Sequence, residues 1–163
     1  KNGDFHHSDL LILGLVIYQA LDMQEFLYLE VDDLQLEKGQ IYLRAGRHKR
    51  ARTITLQGFQ ILGLHTFVTQ IRPQLLSEPS DKLFAPQAEV YNRLHLQFKQ
   101  LSKQVKAQAL EKLDIKIHKI SQLRHSRIAI WTKEEGLRKA QYLAGFRRVS
   151  SAERYQHIEF KTK

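Results

Sequence analysis

Two side chains near the carboxyl end of the chain, Arg124 and Tyr155, are of types that could perform phosphoryl chemistry. An arginine presents paired N–H groups that can hold a phosphate. The hydroxyl of a tyrosine can attack a phosphate and form a covalent intermediate. The segment 120–155 reads as helices with a break at Gly145, so positioning this pair depends on helix packing.

The helix with Arg124 is predicted to begin at Ser121 or Gln122. Trp131 lies on its apolar face and is expected to be part of the core. A capping box at 132–135 predicts that another helix starts there, because a side chain at each of its ends can satisfy a free backbone N–H group.

That second helix is predicted to run to Leu143, with Gly145 as the residue that follows its C-cap. Another capping box at 150–153 predicts a last helix. Tyr155 would then lie on the first or second turn of this helix.

The amino-terminal part of the chain predicts two helices. Ser8 is a suitable N-cap for a helix over 10–21, which is apolar nearly all round and is expected to lie inside the domain. Asp22 and Glu25 form a capping box that predicts a short helix over about 23–30.

Three short β segments follow, at 34–36, 40–44 and 52–56, and the first two flank a turn that is typical of a hairpin. The loop 45–51 carries a dense group of basic side chains: Arg47, His48, Lys49 and Arg50. A charged hairpin tip of this kind can contact an anion such as a nucleic-acid backbone.

The middle of the chain is predicted to be helical. An amphipathic helix covers 57–70 and ends before Pro73, because proline interrupts helices. A long loop covers 77–86, and a long helix covers 87–113. The segment 115–117 alternates and is predicted to be a short strand or an extended lead-in to the next helix.

Composition limits the class of protein. The chain has 163 residues, enough for one domain, and no cysteine, which excludes disulfides and thiolate metal sites. It has no apolar run of membrane-spanning length, and its first residues lack the basic-then-apolar pattern that would predict a signal peptide. Because it begins with Lys1 and its one methionine is Met23, we expect it to be a fragment of a longer protein.

The net charge is +9 and is placed unevenly. Residues 1–98 contain 10 Lys and Arg against 11 Asp and Glu, whereas residues 99–163 contain 16 against 6. A one-sided positive field attracts a polyanion, and nucleic acid is the usual one.

The order of these elements resembles the catalytic domain of the tyrosine recombinases, the phage integrase family, over nearly the whole chain. Gln19-Ala20-Leu21-Asp22 resembles the family's Thr-Gly-Leu-Arg turn, and Gly46-Arg47-His48-Lys49-Arg50 resembles its basic hairpin. Ser121-Gln122-Leu123-Arg124-His125 resembles its His-x-Leu-Arg-His segment. Ala144-Gly145-Phe146 resembles its Leu-Gly-His segment, and Glu153-Arg154-Tyr155 resembles the region of its nucleophile.

The resemblance implies an α+β, mostly α, fold with a small three-stranded antiparallel sheet, and it implies that residues 1–163 form the catalytic domain without the N-terminal DNA-clamping domain. In the family, a tyrosine attacks a DNA phosphodiester, two arginines stabilise the charge that develops, a lysine protonates the leaving oxygen and two histidines assist. It implies no metal and no cofactor. It also implies a cytoplasmic, DNA-associated protein that binds double-stranded DNA as a homo-oligomer, such as a tetramer, or beside an active recombinase partner.

This chain departs from the family pattern at four positions. Asp22 occupies the position of the first arginine, and Arg47 occupies that of the lysine. Ser121 and Phe146 occupy the positions of the first and the second histidine, respectively. Arg124 and Tyr155 match the family. Lys49 is a near substitute for the lysine if the hairpin shifts. We expect Asp22 to serve as a helix cap and His125 to be a packed structural histidine.

The predicted function is DNA binding in site-specific recombination or integration, with strand cleavage weak or absent. The predicted catalytic residues, if the site is active, are Tyr155 as the nucleophile and Arg124. The predicted DNA contacts are Arg47, His48, Lys49, Arg50, Arg124, Arg147 and Arg148.

Two alternatives remain open. The chain could be an active but divergent recombinase that forms a 3′-phosphotyrosyl DNA intermediate through Tyr155. It could instead be a helical protein-interaction domain whose positive face is incidental.

Overall fold

The structure is a computed structural model of the chain, and it describes residues 7–84, 90–113 and 119–158. The predicted elements that fall on 85–89 and 114–118, including the segment 115–117, lie outside the described residues.

The described residues form a mostly helical domain with one small sheet, as predicted. The helices are α1 (His7–Gln19), α2 (Met23–Tyr28), α3 (Gly58–Thr66), α4 (Arg72–Leu75), α5 (Val90–Leu113), α6 (Ser121–Glu134), α7 (Leu137–Leu143) and α8 (Ser150–Glu153). The strands are β1 (Leu34–Gln35), β2 (Gln40–Leu43) and β3 (Arg52–Thr55). None of the helices in the described part of the chain combines the length and the apolar character that crossing a membrane requires.

Helix α1 lies at the centre of the core, as its apolar sequence predicts. Ile12, Leu15 and Val16 are almost completely buried, and the helix packs against α3, α5 and α6. It begins at His7, so Ser8 lies inside the first turn and is not the predicted N-cap. Because α1 contacts α6, it fixes the helix that carries Arg124.

The sheet has the order β1-β2-β3 with antiparallel neighbours, which confirms the predicted hairpin. Ile41 pairs with Ile54, and both side chains are buried against the helices. The alternation of buried and exposed positions along β2 and β3 holds the register, since a shift by one residue would expose both isoleucines. The register in turn fixes where the loop between β2 and β3 projects.

The helix after β3 runs further than predicted. It passes through a widened π turn at Phe67–Ile71 and continues as α4, so Pro73 does not stop it. Pro73 lies in the first turn of α4, where a helix does not need the N–H group that proline lacks.

The division between α6 and α7 also differs from the prediction. The residue Thr132 does not cap a new helix, because α6 continues through it to Glu134 and its hydroxyl donates to the Ile128 carbonyl. The break falls at Gly136, whose φ of 80° is readily adopted by glycine. Trp131 is buried, as predicted.

The last helix, α8, is a single turn. Val149 precedes it and no side chain caps it, so the predicted capping box at 150–153 is wrong. Tyr155 therefore lies in the turn after α8 and not on the helix itself.

Candidate active site

Asp22 caps α2, as predicted. Its Oδ1 accepts from the Glu25 N–H at 3.1 Å, while Glu25 Oε2 accepts from the Asp22 N–H at 3.0 Å. The other carboxylate oxygen of Asp22, Oδ2, lies 2.7 Å from Lys49 Nζ. Asp22 is thus engaged with a cation of the hairpin as well as with the start of α2.

Lys49, and not Arg47, is the hairpin cation that enters the site. Gly46 and Lys49 exchange backbone hydrogen bonds of 3.2 and 3.3 Å, which close a tight turn. This turn directs the Lys49 side chain inward, where it is only 16% exposed, and leaves Arg47 and His48 exposed. Lys49, which the sequence analysis named as a near substitute for the family's lysine, is therefore the hairpin cation whose side chain lies in the site.

Glu25 is the centre of the cation-binding half of the site. Its carboxylate lies 2.5 Å from Arg52 Nη1, 3.2 Å from Lys49 Nζ and 3.5 Å from Arg124 Nη1. These residues form a group that we call the carboxylate cluster: Asp22, Glu25, Lys49, Arg52 and Arg124. The cluster contains three cations and two carboxylates.

Arg52 and Arg124 are both buried and both contact the end of α7. Arg52 Nε donates to the Leu143 carbonyl at 2.7 Å, and Arg124 Nη2 donates to the Ala144 carbonyl at 3.3 Å. The carbonyls at a helix end carry partial negative charge and favour cations there. The two arginines thereby connect β3 and α6 to the same helix end.

The charges of the cluster shift the pKa values of its members. Burial by itself would raise the pKa of the Asp22 carboxyl, but Lys49 and Arg124 outweigh it and hold this pKa below its ordinary value. Burial would likewise raise the pKa of Glu25, and Arg52 and Lys49 lower it overall. Both carboxylates are therefore ionised near neutral pH.

Lys49 is affected in the opposite sense. Burial lowers the pKa of its ammonium group, and the charge of Arg124 lowers it further, against the opposing effect of Glu25 and Asp22. A lysine with a lowered pKa releases its proton more readily and is a better acid for a leaving oxygen.

Gly145 joins the hairpin to the segment that leads to Tyr155. Its φ of 71° is left-handed, and a Cβ there would lie 2.5 Å from Arg52 Nη1, so a larger residue would be strained and would collide. Arg50 N–H donates to the Gly145 carbonyl at 2.9 Å, and Lys49 and Phe146 form an antiparallel β-bridge. Arg147 Nη2 also donates to the Gly46 carbonyl at 3.2 Å.

Tyr155 lies between two aromatic rings. The His125 ring stacks on it at a centroid distance of 5.8 Å and the Phe146 ring at 6.2 Å. The Tyr155 hydroxyl is 2.8 Å from His125 Nδ1. We call His125, Phe146 and Tyr155 the tyrosine stack.

The positive charges near the tyrosine stack do not by themselves lower the pKa of the Tyr155 phenol below its ordinary value. Burial raises the pKa of the Tyr155 phenol, although Arg154 and Arg124 oppose the shift. Burial, Arg124 and Arg154 all lower the pKa of His125, so its imidazole is neutral near pH 7.

His125 corrects a prediction made from the sequence. It was expected to be a packed structural histidine. One side of its ring does pack on Tyr155, but the residue as a whole is exposed and Nδ1 lies within hydrogen-bonding distance of the tyrosine hydroxyl. Ser121, which the sequence analysis aligned with a histidine of the resembled family, lies one helical turn earlier on α6 and is exposed.

The other predicted DNA contacts lie at the surface near this site. Five exposed cationic or potentially cationic side chains occupy the hairpin tip and the turn after α7: Arg47, His48, Arg50, Arg147 and Arg148. The hydrogen bonds through Gly46 and Gly145 hold the two loops together, so these side chains and the site share one region of the molecule.

A cavity of about 380 Å³ lies between α2 and the hairpin turn. Its wall includes Asp22, Glu25 and Lys49, together with the apolar side chains of Leu29 and Leu43.

Two residues of the site were not singled out as candidate site residues from the sequence. Glu25 was recognised only as part of a capping box. Its place on a short helix that must pack against the domain was the available sign that its carboxylate would be buried and would need a cationic partner. Arg52 stands at an inward position of β3, between alternating exposed residues, which indicates a buried cation that needs a partner.

A mostly helical domain with a small antiparallel sheet, a buried arginine on α6 and a tyrosine in the turn after α8 has the fold of an integrase catalytic domain. The chain belongs to the phage integrase family, whose family model matches residues 3–162. No curated protein matches the chain by sequence.

Solved structures of tyrosine recombinases share this fold at low sequence identity. The XerA recombinase matches with a TM-score of 0.69 and 17% identity over 94% of this chain and 54% of that chain. The XerH site-specific recombinase bound to its difH substrate matches with a TM-score of 0.72 and 20% identity over 98% of this chain and 46% of that chain. A lambda integrase dimer bound to a core site matches with a TM-score of 0.61 and 13% identity, over 96% and 55% of the two chains. The chain thus spans about half the length of the recombinases it matches.

Proposed function

We propose that this chain is a DNA-binding catalytic-type domain, spanning residues 1–163, that acts in site-specific recombination and cleaves DNA weakly or not at all by itself. The observation that carries the proposal is the Asp22 carboxylate, which stands where the family has an arginine and lies 2.7 Å from Lys49 Nζ.

The charges of the carboxylate cluster explain the expected loss of cleavage. Its three cations face two carboxylates, so a single net positive charge is left for a phosphate. Losing one electrostatic contact to a developing charge typically lowers a rate by about 10²–10³-fold. A carboxylate in the same place also repels the phosphate, and its ion pair with Lys49 competes for the cation that would protonate the leaving oxygen.

The exposed cations support DNA binding independently of cleavage. Arg47, Arg50 and Arg148 lie at the surface on the linked hairpin and α7–α8 turns. The solved structures of XerH and lambda integrase contain their DNA substrate or core site, and the latter is a dimer. We infer that this chain binds double-stranded DNA in a homo-oligomer or together with an active recombinase that completes the site.

A salt titration tests DNA binding. The affinity for a mixed-sequence duplex should fall steeply between about 50 and 200 mM salt, since each neutralised phosphate releases counterions. An affinity that does not change with salt, or no binding even at low salt, would remove this proposal and favour a protein-interaction domain.

Two observations favour a second candidate function, that of an active but divergent recombinase. Lys49 occupies the site with a lowered pKa, and Tyr155 has a hydrogen-bonding partner. A nicked duplex that traps the covalent intermediate decides between the two. A rapid protein–DNA adduct that is lost in Tyr155→Phe would establish this second function.

A further inference from the structure

His125 and Ser121 lie on the same face of α6, one helical turn apart. Ser121 stands where the family has a histidine, and its hydroxyl is a poor proton acceptor. His125 is the residue of this face whose ring reaches the nucleophile, with Nδ1 2.8 Å from the Tyr155 hydroxyl. We propose that His125 accepts the phenol proton when Tyr155 attacks a phosphodiester, in place of the histidine that Ser121 replaces.

This inference rests on the proposed function and concerns whatever strand cleavage the chain retains. The aromatic surroundings leave His125 as the suitable base. Phe146 stacks on Tyr155 at an interplanar angle of 17° but has no nitrogen or oxygen in its side chain. The His125 ring, at 25°, offers a ring nitrogen to the same hydroxyl.

The surrounding charges suit this role. Arg124 and Arg154 are the charged groups that act on His125, and together with burial they lower its pKa and keep the imidazole in the form that can accept a proton. Burial raises the pKa of the Tyr155 phenol, so the phenol needs a base before it can attack. His125 is therefore available as a proton acceptor at neutral pH. The two shifts widen the gap between the pKa values of the phenol and the imidazole, so the proton has to move as the Tyr155 oxygen attacks phosphorus and not before.

The step balances with groups that this chain supplies. The Tyr155 oxygen forms a bond to phosphorus while its proton passes to His125 Nδ1, which becomes imidazolium. The bond from phosphorus to the 5′ oxygen breaks, and the leaving oxygen takes a proton from the Lys49 ammonium group. The product is a phosphotyrosyl DNA end with a free 5′ hydroxyl.

The tautomer of His125 provides a test that needs no DNA. In ¹⁵N spectra of the histidine side chains, a base requires Nδ1 to be unprotonated and Nε2 to carry the hydrogen, with the Nδ1 signal changed in Tyr155→Phe. A proton found on Nδ1 in the wild-type protein would overturn the proposal, because His125 would then donate to the phenol oxygen.

A nicked duplex with sulfur at the scissile 5′ position isolates the same step during cleavage. A thiolate leaves without being protonated, so Lys49 is not required and activation of Tyr155 limits the rate. We expect the wild-type protein to form an adduct and His125→Gln, which can hydrogen-bond but cannot take a proton, to form it about 10²–10⁴-fold more slowly. The exposed His65, on α3, provides the control His65→Gln, which should match the wild type.

The outcomes separate this proposal from the proposed function. The adduct rate should rise with pH as His125 loses its proton, at a pKa below the ordinary value of histidine, and should lose this dependence in His125→Gln. A wild-type rate in His125→Gln, or no adduct from the wild type on the sulfur substrate, would overturn the role of His125. Salt-dependent duplex binding would be unaffected by either result, and its absence would count against the proposed function instead.

Discussion

The carboxylate cluster and the tyrosine stack are the two halves of one site, and they are built in opposite ways. In the cluster, Lys49, Arg52 and Arg124 all face carboxylates at 2.5–3.5 Å. In the stack, Tyr155 is held by two aromatic rings and by a hydrogen bond between its hydroxyl and His125 Nδ1. In the function we propose, the cluster is the half that would bind a phosphate and its own carboxylates offset most of its positive charge, whereas the stack retains Tyr155 as the candidate nucleophile.

This difference indicates how buried cations can be accommodated in such a site without destabilising the fold. Buried cations are stable only when they have partners, and the carboxylates of Asp22 and Glu25 supply them. We propose that the same carboxylates stabilise the fold and weaken phosphate binding. The following predictions test this division, from the largest expected effect to the smallest.

Glu25→Gln should have the largest effect on stability. It removes the carboxylate that lies within reach of three buried or nearly buried cations, and breaking a buried ion pair on one side costs about 3–5 kcal/mol. Urea unfolding measures this loss. Glu37→Gln, at an exposed position, should change stability by less than about 0.5 kcal/mol. Equal effects of the two substitutions would show that the cluster does not stabilise the fold.

Gly145→Ala should destabilise the junction between the two halves by about 2 kcal/mol, because a non-glycine residue in the left-handed region costs about 1–2 kcal/mol and the new Cβ meets Arg52. Gly58→Ala is the matched control, since a Cβ there would meet nothing within 4 Å. Thermal unfolding of both variants gives the comparison. A tolerated Gly145→Ala would mean that Arg52 can move away without cost.

Replacing Arg47 and Arg50 together with glutamine should weaken duplex binding by roughly tenfold and reduce the salt slope by about one per lost phosphate contact. Lys38→Gln is the control, because Lys38 is exposed at the opposite end of the β2–β3 hairpin. A fluorescence titration at several salt concentrations measures both quantities. If Lys38→Gln weakens duplex binding as much as each of the Arg47 and Arg50 substitutions does on average, the hairpin tip does not contact DNA specifically.

Acidification should have the smallest effect, and a comparison of the wild type with Asp22→Asn isolates the part that comes from Asp22. The folded pKa of Asp22 is lowered, so its contribution to stability is complete above its unfolded pKa and is lost as pH falls through the folded value. The stability advantage of the wild type over Asp22→Asn should therefore shrink as pH falls from 7 to below about 4. Asparagine also caps helices well, so this difference reports charge. A pH-independent difference would contradict the ion pair with Lys49.

Much of the fold could be predicted from the sequence because its signals are local. The capping box of Asp22 and Glu25, the hairpin and the role of Gly145 each depend on residues a few positions apart. The same local reasoning was wrong where two signals competed. Thr132 resembles an N-cap, but the positive φ of Gly136 determines where the helices separate.

The site was harder to predict because its contacts join distant parts of the chain. Lys49 points inward and Arg47 points outward because of the backbone hydrogen bonds between Gly46 and Lys49. The spacing of residues in the sequence does not predict these hydrogen bonds. The contact between His125 and Tyr155 depends on how α8 packs on α6. Arg124 could be identified by its motif, but its distance to Glu25 could not.

The rate at which Asp22→Asn forms a covalent adduct with a nicked duplex tests the central claim most directly, because this substitution removes the charge and retains the helix cap. We predict a slow or undetectable adduct in the wild type and at least roughly a tenfold faster one in Asp22→Asn, equivalent to about 1.4 kcal/mol of barrier, with Asp32→Asn unchanged. A wild-type protein that forms the Tyr155 adduct as fast as Asp22→Asn would contradict the claim that its own carboxylate opposes the phosphate.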